Sequence, residues 1–159
     1  MHRSMQLPEH LQALEAYWCL KRRGRLLPDR SGFGPLELRP WLGHIAVIAV
    51  ERQSPGDDAA MRFRVVLSGM HIDDYRGGGV TNRYLDDLTR GRTSTEPHYR
   101  CCVATRQPVR FLHDNSHNSL LYPQMLKLLL PLSQDDRSVD RIIVGVHAVP
   151  LPMDRSLAA

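Results

Sequence analysis

Hydrophobic residues recur at helical spacing near the start of the chain, and a glycine follows the last of them at Gly24. Their separations of four, three and four positions place them on one face of a helix predicted over 7–23. Glycine is a common residue just beyond the end of a helix. The pattern therefore predicts an amphipathic N-terminal helix. The positions that define its apolar face are Leu7, Leu11, Leu14 and Trp18.

The next hydrophobic runs have the character of β-strands. Ile45–Glu51 is apolar and rich in β-branched residues, which is typical of a buried strand. Met61–Ser68 alternates instead, so Phe63, Val65 and Leu67 are predicted to point to one side of the sheet. A short polar segment with Pro and Gly separates the two runs. We therefore predict an antiparallel hairpin.

The rest of the chain predicts helices followed by strands. A loop-rich middle part, 69–106, holds a short helix near Leu85 and a longer helix that begins at Thr95. A polar hairpin loop joins the last two predicted strands, so both hairpins of the chain require antiparallel pairing. The middle helices then cover one sheet face, and the N-terminal helix is left for the other face or for a partner chain. The last three predicted strands are Val109–His113, Leu120–Leu132 and Arg141–Val149.

Composition places the chain among globular proteins. Its 159 residues fit one domain, with 42% hydrophobic and 24% charged residues. No apolar run reaches the roughly 20 residues of a membrane-spanning helix, and the N-terminus has no apolar signal core. We therefore expect a cytoplasmic protein that does not enter a membrane.

The basic residues do not form a nucleic-acid footprint. The formal charge is +4, and all 21 cationic residues except Lys21 and Lys127 are arginines. They are scattered among acidic residues, whereas nucleic-acid binding proteins concentrate such charge on one face. The one basic cluster, 21–25, stands at a predicted helix end, where cations favour the helix dipole. We expect a helix-end role or a partner surface there.

The cysteines are predicted to be buried free thiols. Cys19, Cys101 and Cys102 have neither the spacing of metal ligands nor an even disulfide framework. The alternative is a redox pair formed by the adjacent Cys101 and Cys102. No metal site is expected.

Several short motifs, taken in order, resemble a known family. Their spacing is similar to that of the short single-domain bacterial PAS proteins, which occur mainly in alphaproteobacteria and were first catalogued as a domain of unknown function. The chain departs from the family pattern at Gly34, where an acidic residue is usual, and at Asn82, where a glycine is usual. The matching segments are Tyr17-Trp18, Leu27-Pro28-Asp29-Arg30, Pro35 with Leu38, Leu42, Phe63–Gly69 and Leu129–Ser133.

The resemblance implies an α+β, PAS-like fold with a five-stranded antiparallel sheet and helices on one face. An extra N-terminal amphipathic helix, 1–24, would precede the PAS-like domain, 25–150, and a frayed tail, 151–159, would follow it. In this family the first helix often helps dimers form. The implied role is a regulatory sensor or adaptor that is not an enzyme and acts through ligand-modulated protein–protein interaction.

Candidate site residues follow from this arrangement. A small molecule could bind between the sheet and the middle helices, although a filled core is the alternative. The N-terminal helix would offer Leu14, Tyr17 and Trp18 as the surface for a homodimer or another protein partner. The predicted pocket residues are Phe63, Val65, Leu67, Tyr84, Leu88, His98, Cys102 and Phe111.

Two other functions stay open on the sequence. The run His113–His117 contains Asp114 and Ser116, the residue types of a hydrolase, although such polar runs usually form turns. His98 lies on the predicted longer helix, from which haem-binding PAS domains supply an axial ligand. No cofactor is required by the pattern, and haem at His98 is the one cofactor considered.

Overall fold

The sheet has five strands in the order β2-β1-β5-β4-β3, and every neighbouring pair is antiparallel. The structure is a computed structural model that describes residues 6–92 and 94–152. It confirms the predicted PAS-like α+β fold. The helices are α1 (Glu9–Lys21), α2 (Met70–Arg76), α3 (Leu85–Leu88) and α4 (Glu96–Thr105). The strands are β1 (Ile45–Glu51), β2 (Arg62–Ser68), β3 (Val109–Asp114), β4 (Gln124–Leu132) and β5 (Arg141–Val149).

Helices cover both faces of this sheet. Directly paired residues of neighbouring strands project to the same face, and successive residues project to opposite faces. Leu128 pairs with Gly145, and a Cβ atom on Gly145 would lie 2.7 Å from a methyl carbon of Leu11, so α1 lies on that face. Lys127 pairs with Phe111, whose ring stacks on a residue of α4, so α4 lies on the other face. The central strand β4 is therefore buried from both sides.

The position of α1 corrects the predicted dimer surface. Leu14 and Trp18 are 0% and 1% exposed, because they pack on the sheet of their own chain. The Trp18 indole N–H donates a hydrogen bond of 2.7 Å to the carbonyl oxygen of Pro131. Tyr17 is only half-buried, and its hydroxyl donates to the carbonyl oxygen of Gly32. Leu14 and Trp18 thus belong to the core and are not available to a partner.

A bulge in β2 corrects the predicted direction of Leu67. Val47 pairs with Leu67, but the next residue of β1, Ile48, pairs with Val65. Because Val47 and Ile48 face opposite ways, Leu67 and Val65 do so too. Leu67 is accordingly 38% exposed, whereas Val65 is buried. Alternation alone could not reveal the extra residue.

The strand β4 begins later than predicted, at Gln124. The preceding loop is organised by Asn115, which is fully buried and donates from its side-chain amide to the carbonyl oxygens of Tyr75 and Tyr122. These bonds hold the segment before Gln124 in a loop instead of a strand. Leu120 and Leu121 are consequently exposed on the loop instead of paired.

Four histidines meet where α1, β5, α2 and the 3₁₀ helix Arg39–His44 come together. The ring centroids of His10 lie 5.3 Å from His147 and 5.9 Å from His44, and His44 stacks on His71 at 4.5 Å. Burial, followed by the neighbouring histidines, lowers the pKa of His44, and burial followed by His10 lowers the pKa of His147. In this histidine seam, the environment of His44 and of His147 therefore favours the neutral imidazole.

We expect acid to weaken the fold at the histidine seam. A histidine with a lowered pKa binds fewer protons in the folded than in the unfolded state, so its contribution is intact above pH about 6.5 and is lost as pH falls towards the folded pKa. His147→Gln, which cannot be protonated, should flatten the fall in unfolding free energy between pH 7 and 5. Denaturant unfolding of both proteins at each pH checks this, and identical slopes would contradict it.

The division of the chain into 1–24, 25–150 and 151–159 stays a prediction. Residues 1–5 and 153–159 of the two outer segments lie outside the described residues.

Candidate functional site

A cavity of about 210 Å³ opens between the sheet edge and the helical layer. It is bounded by the end of α2, the segment after α3, the first turn of α4 and the edge strand β3 with its following loop. Its residues come from four separate parts of the chain, which only the fold brings together. The lining residues are Arg76, Leu88, Thr89, Arg92, Ser94, Thr95, His98, Phe111, Leu112, His113, Asp114, His117 and Asn118.

Two stacked rings form the aromatic part of the wall. His98 lies flat on Phe111, with ring centroids 3.9 Å apart and planes inclined by 4°. Tyr99, the next residue of α4, is buried behind them and contacts both Phe63 and Phe111. Pro97 in the first turn of α4 suits a helix start, and this start sets the direction of His98. Burial lowers the pKa of His98, and the positive charge of Lys127 lowers it further.

The cavity wall is strongly basic. Arg76 ends α2 and Arg92 follows α3, and both line the cavity. Lys127 stands behind Phe111, with its ammonium nitrogen 6.0 Å from the ring centroid, and only 7% of the residue is exposed. Burial, with Arg76 as the second cause, lowers the pKa of Lys127 to about 7. Burial also lowers the pKa of Arg76.

His113 lies in the same buried and positively charged environment. It lies on β3, lines the cavity, and pairs with Met125 of β4. Burial, reinforced by the charges of Lys127 and Arg76, lowers its pKa to about 3. His113 is therefore a neutral imidazole at physiological pH, able to donate one hydrogen bond and accept another.

The predicted pocket residues divide into three groups. Leu88, His98 and Phe111 line the cavity. Phe63, Val65 and Cys102 are buried in the core that supports the wall. Leu67 is turned away by the bulge, and Tyr84 lies outside, where Arg62 covers its ring at 3.7 Å and its hydroxyl donates to Glu51.

Sequence reasoning missed the polar part of the lining. Arg76, Arg92 and Thr95 were not among the predicted residues, although they dominate the chemistry of the cavity. Arg76 follows no apolar pattern, because α2 is only seven residues long. A single signal was available in the sequence: Lys127 interrupts an otherwise apolar strand.

The residues at 113–117 do not assemble a hydrolytic triad. His113, Asp114 and His117 line the cavity, but the backbone N–H and hydroxyl of Ser116 both donate to Asp114. Within 6–92 and 94–152, no hydrogen bond joins Ser116 to either histidine. The serine is thus held by the acid and not by a base.

A haem does not fit the residues around His98. Pockets for drug-sized molecules occupy about 300–1,000 Å³, and a haem is larger than such molecules, whereas this cavity has about 210 Å³. A haem would have to separate α4 from the sheet.

The cysteines differ from the prediction in part. All three are free thiols, but Cys19 and Cys101 are exposed, and only Cys102 is buried. Burial raises the pKa of the Cys102 thiol to about 12, so it stays protonated and unreactive at neutral pH.

Comparisons with known proteins agree with the fold. A family model described as a PAS domain matches residues 6–147. No curated protein and no solved structure matches the chain. Across the described part of the chain, every helix is too short or too polar to cross a lipid bilayer. PAS domains are in general sensory and regulatory modules. The match covers most of the chain and coincides with the five-stranded sheet and its helices, so this chain belongs to the PAS domain family.

Proposed function

We propose that this chain is a regulatory sensor or adaptor that binds a small molecule and passes the signal on through protein–protein interaction. The observation that carries the proposal is the cavity between α4 and β3. It has a stacked aromatic wall, convergent polar groups and titratable residues with perturbed pKa values, which together characterise ligand sites.

The position of the cavity would allow a bound ligand to change the conformation of the protein. Its walls belong to α2, α4, the segment after α3 and the edge strand β3, so an occupant changes the spacing between the helical layer and the sheet edge. A ligand shifts such an equilibrium by the difference in its affinity for the two arrangements. No catalytic role is part of the proposal, because the polar groups of the lining include no activated nucleophile.

The signal would pass to another protein or to a second copy of this chain. The predicted homodimer remains part of the proposal, but Leu14 and Trp18 cannot form its interface, because both are buried. The outer side of α1, where Leu20 is 73% exposed, is the surface of that helix which remains available. The cytoplasm is the compartment proposed for this role.

Filling the cavity tests the proposal. Leu88→Trp places an indole at a half-buried lining position, so it should remove ligand binding while leaving the core intact. A metabolite library is screened by thermal unfolding of both proteins. A ligand at about 100 times its Kd stabilises by about 2.7 kcal/mol, which corresponds to a Tm rise of about 5–10 °C for a protein of this size.

Compounds that stabilise the wild type and not Leu88→Trp support the cavity as the sensing site. Their effect on mass, measured by analytical ultracentrifugation with and without the compound, then tests the coupling to assembly. A library that leaves the wild-type Tm unchanged, or compounds that stabilise both proteins equally, would contradict the proposal.

A further inference from the structure

We propose that the cavity binds a small organic anion whose carboxylate or phosphate oxygens are held by Arg76 and Arg92. The inference deepens the proposed function and rests on it, because it assumes that the cavity is the ligand site. Its observation is different, namely two arginines that line a small, partly enclosed space and form no ion pair with a described carboxylate.

Six of the described arginines form ion pairs with carboxylates of the same chain. Arg52 binds Asp58 at 2.8 Å, Arg62 binds Asp86 at 2.9 Å, and Arg64 binds Glu51. These pairs occur on the opposite edge of the sheet and its loops. In these pairs a carboxylate of the chain itself compensates the guanidinium group.

The cations of the cavity lack such partners. Among the residues that the structure describes, no carboxylate lies within 4 Å of the charged groups of Arg76, Arg92 or Lys127, and none of the three donates a hydrogen bond from its side chain. Arg83 and Arg92 both repel Arg76, which Asp73 offsets in part, and Arg76 repels Lys127. Gathering like charges in a partly desolvated space is costly unless an anion compensates them.

The one acid in the lining is already engaged. Asp114 accepts hydrogen bonds from the backbone and hydroxyl of Ser116. Asp73, which precedes Arg76 in α2, accepts from the Ser68 hydroxyl. Neither forms an ion pair with Arg76 within the described ranges. The guanidinium groups of Arg76 and Arg92 are therefore available to bind an anion directly.

Neutral donors complete the site. Thr95 is 6% exposed, lines the cavity, and its hydroxyl makes no hydrogen bond to another described residue. His98 and His113 add ring N–H groups to the same wall. Leu88 and Phe111, which also line the cavity, offer apolar contact for a short carbon chain. A guanidinium fork matches a carboxylate or phosphate through two parallel hydrogen bonds.

Three probes separate charge from shape. Succinate supplies carboxylates, inorganic phosphate supplies phosphate oxygens, and succinamide has the length of succinate without its charge. Isothermal titration on the full chain at low ionic strength should give binding of succinate or phosphate and none of succinamide. Whether succinate or phosphate binds more tightly tells which oxyanion the site prefers. Salt should weaken the binding.

The variants locate the site. Arg76→Gln with Arg92→Gln should lower the affinity for the bound anion at least tenfold. Arg92→Gln alone, at an exposed loop position that the fold tolerates, should lower it measurably. Arg137→Gln is the matched control, because Arg137 is an exposed arginine in the loop between β4 and β5, outside the cavity.

The outcomes distinguish this inference from the proposed function. An anion that binds Arg76→Gln with Arg92→Gln as tightly as the wild type overturns the inference. So does a wild type that ignores both anions while an uncharged library compound binds in the cavity, and in that case the sensor function stands. If neither anions nor any library compound bind, both proposals fail.

Discussion

Lys127→Met should stabilise this protein by several kcal/mol at pH 7. The residue is 7% exposed, and burial lowers the pKa of its ammonium group to about 7 from an ordinary value of about 10.4. Each unit of that depression corresponds to about 1.4 kcal/mol of cost for the charged form. Methionine has a similar length, no charge and enough flexibility to fill the same space between Phe111 and Val146.

The gain should depend on pH in a defined direction. Between the folded and unfolded pKa values the unfolded chain binds more protons, so the stability of the wild type rises from pH about 7 to pH about 10. The charged and titratable groups facing Lys127 are Arg76, His98 and His113. None of them is a carboxylic acid, whose negative charge would raise the pKa of Lys127. The advantage of Lys127→Met should therefore shrink towards zero at alkaline pH.

Urea unfolding of both proteins at pH 7 and 9.5 measures this difference. Lys21→Met is the matched control, since Lys21 is the only other lysine and lies at the end of α1. Its side chain approaches the ring of Tyr17 at 5.2 Å, so its loss should cost under about 1 kcal/mol, with no comparable pH dependence. A Lys127→Met protein that is less stable than the wild type at pH 7 would falsify this reading of the site.

A lysine that costs stability points to function. Core positions of β4 on either side of Lys127 are leucines, and an apolar residue would fit the sheet better. Residues that weaken a fold are retained where activity requires them. The expected gain in stability comes from Lys127 behind Phe111, and the proposed anion affinity from Arg76 and Arg92 in the lining, so both reflect the positive charge gathered around the cavity wall.

The predictable part of this protein is the part governed by apolar periodicity. The alternation at Phe63 and Val65 and the apolar run at β1 predicted their hairpin, and the spacing of Leu11, Leu14 and Trp18 predicted α1. These patterns indicate which side chains of a helix or strand are buried from water. They depend little on which element packs against the buried face, so they can be recognised without knowing that element.

The unpredictable part depends on interactions between distant segments. The bulge that turns Leu67 outwards lies in the pairing of β1 with β2, and the loop before β4 depends on Asn115 bonding to Tyr75 of α2. The cavity likewise joins Arg76, Arg92 and His98 from separate elements. Sequence periodicity identifies residues that are buried, but it does not separate a residue that fills the core from one that lines a cavity.

The same limit explains the correction at α1. Its apolar stripe predicted burial but did not identify what covers it, and both a partner chain and the sheet satisfied the pattern. The decisive residue is Gly145 in β5. Leu11 and Leu14 have carbon atoms 2.7 and 2.9 Å from the place that a Cβ atom would occupy there. Only a residue without a side chain allows α1 to approach the sheet so closely.

Leu14→Ala should accordingly destabilise the single chain by about 2–5 kcal/mol, because it opens a cavity between α1 and β5. Leu20→Ala is the matched control. It makes the same substitution on the same helix at a side chain that is 73% exposed, so its effect should stay within about 0.5 kcal/mol. Urea unfolding followed by Trp fluorescence, which includes Trp18 one turn away, measures both.

The mass of the protein in solution distinguishes packing of α1 on its own sheet from packing of α1 on a partner chain. If α1 packs on its own chain, the loss in stability from Leu14→Ala is independent of protein concentration, and the mass in solution is the same as that of the wild type. If the stripe were a dimer surface, Leu14→Ala would leave the stability of the monomer unchanged and lower the mass. That second result would mean that α1 belongs to an interface, and that the contact of Leu14 with Gly145 is not what holds the helix.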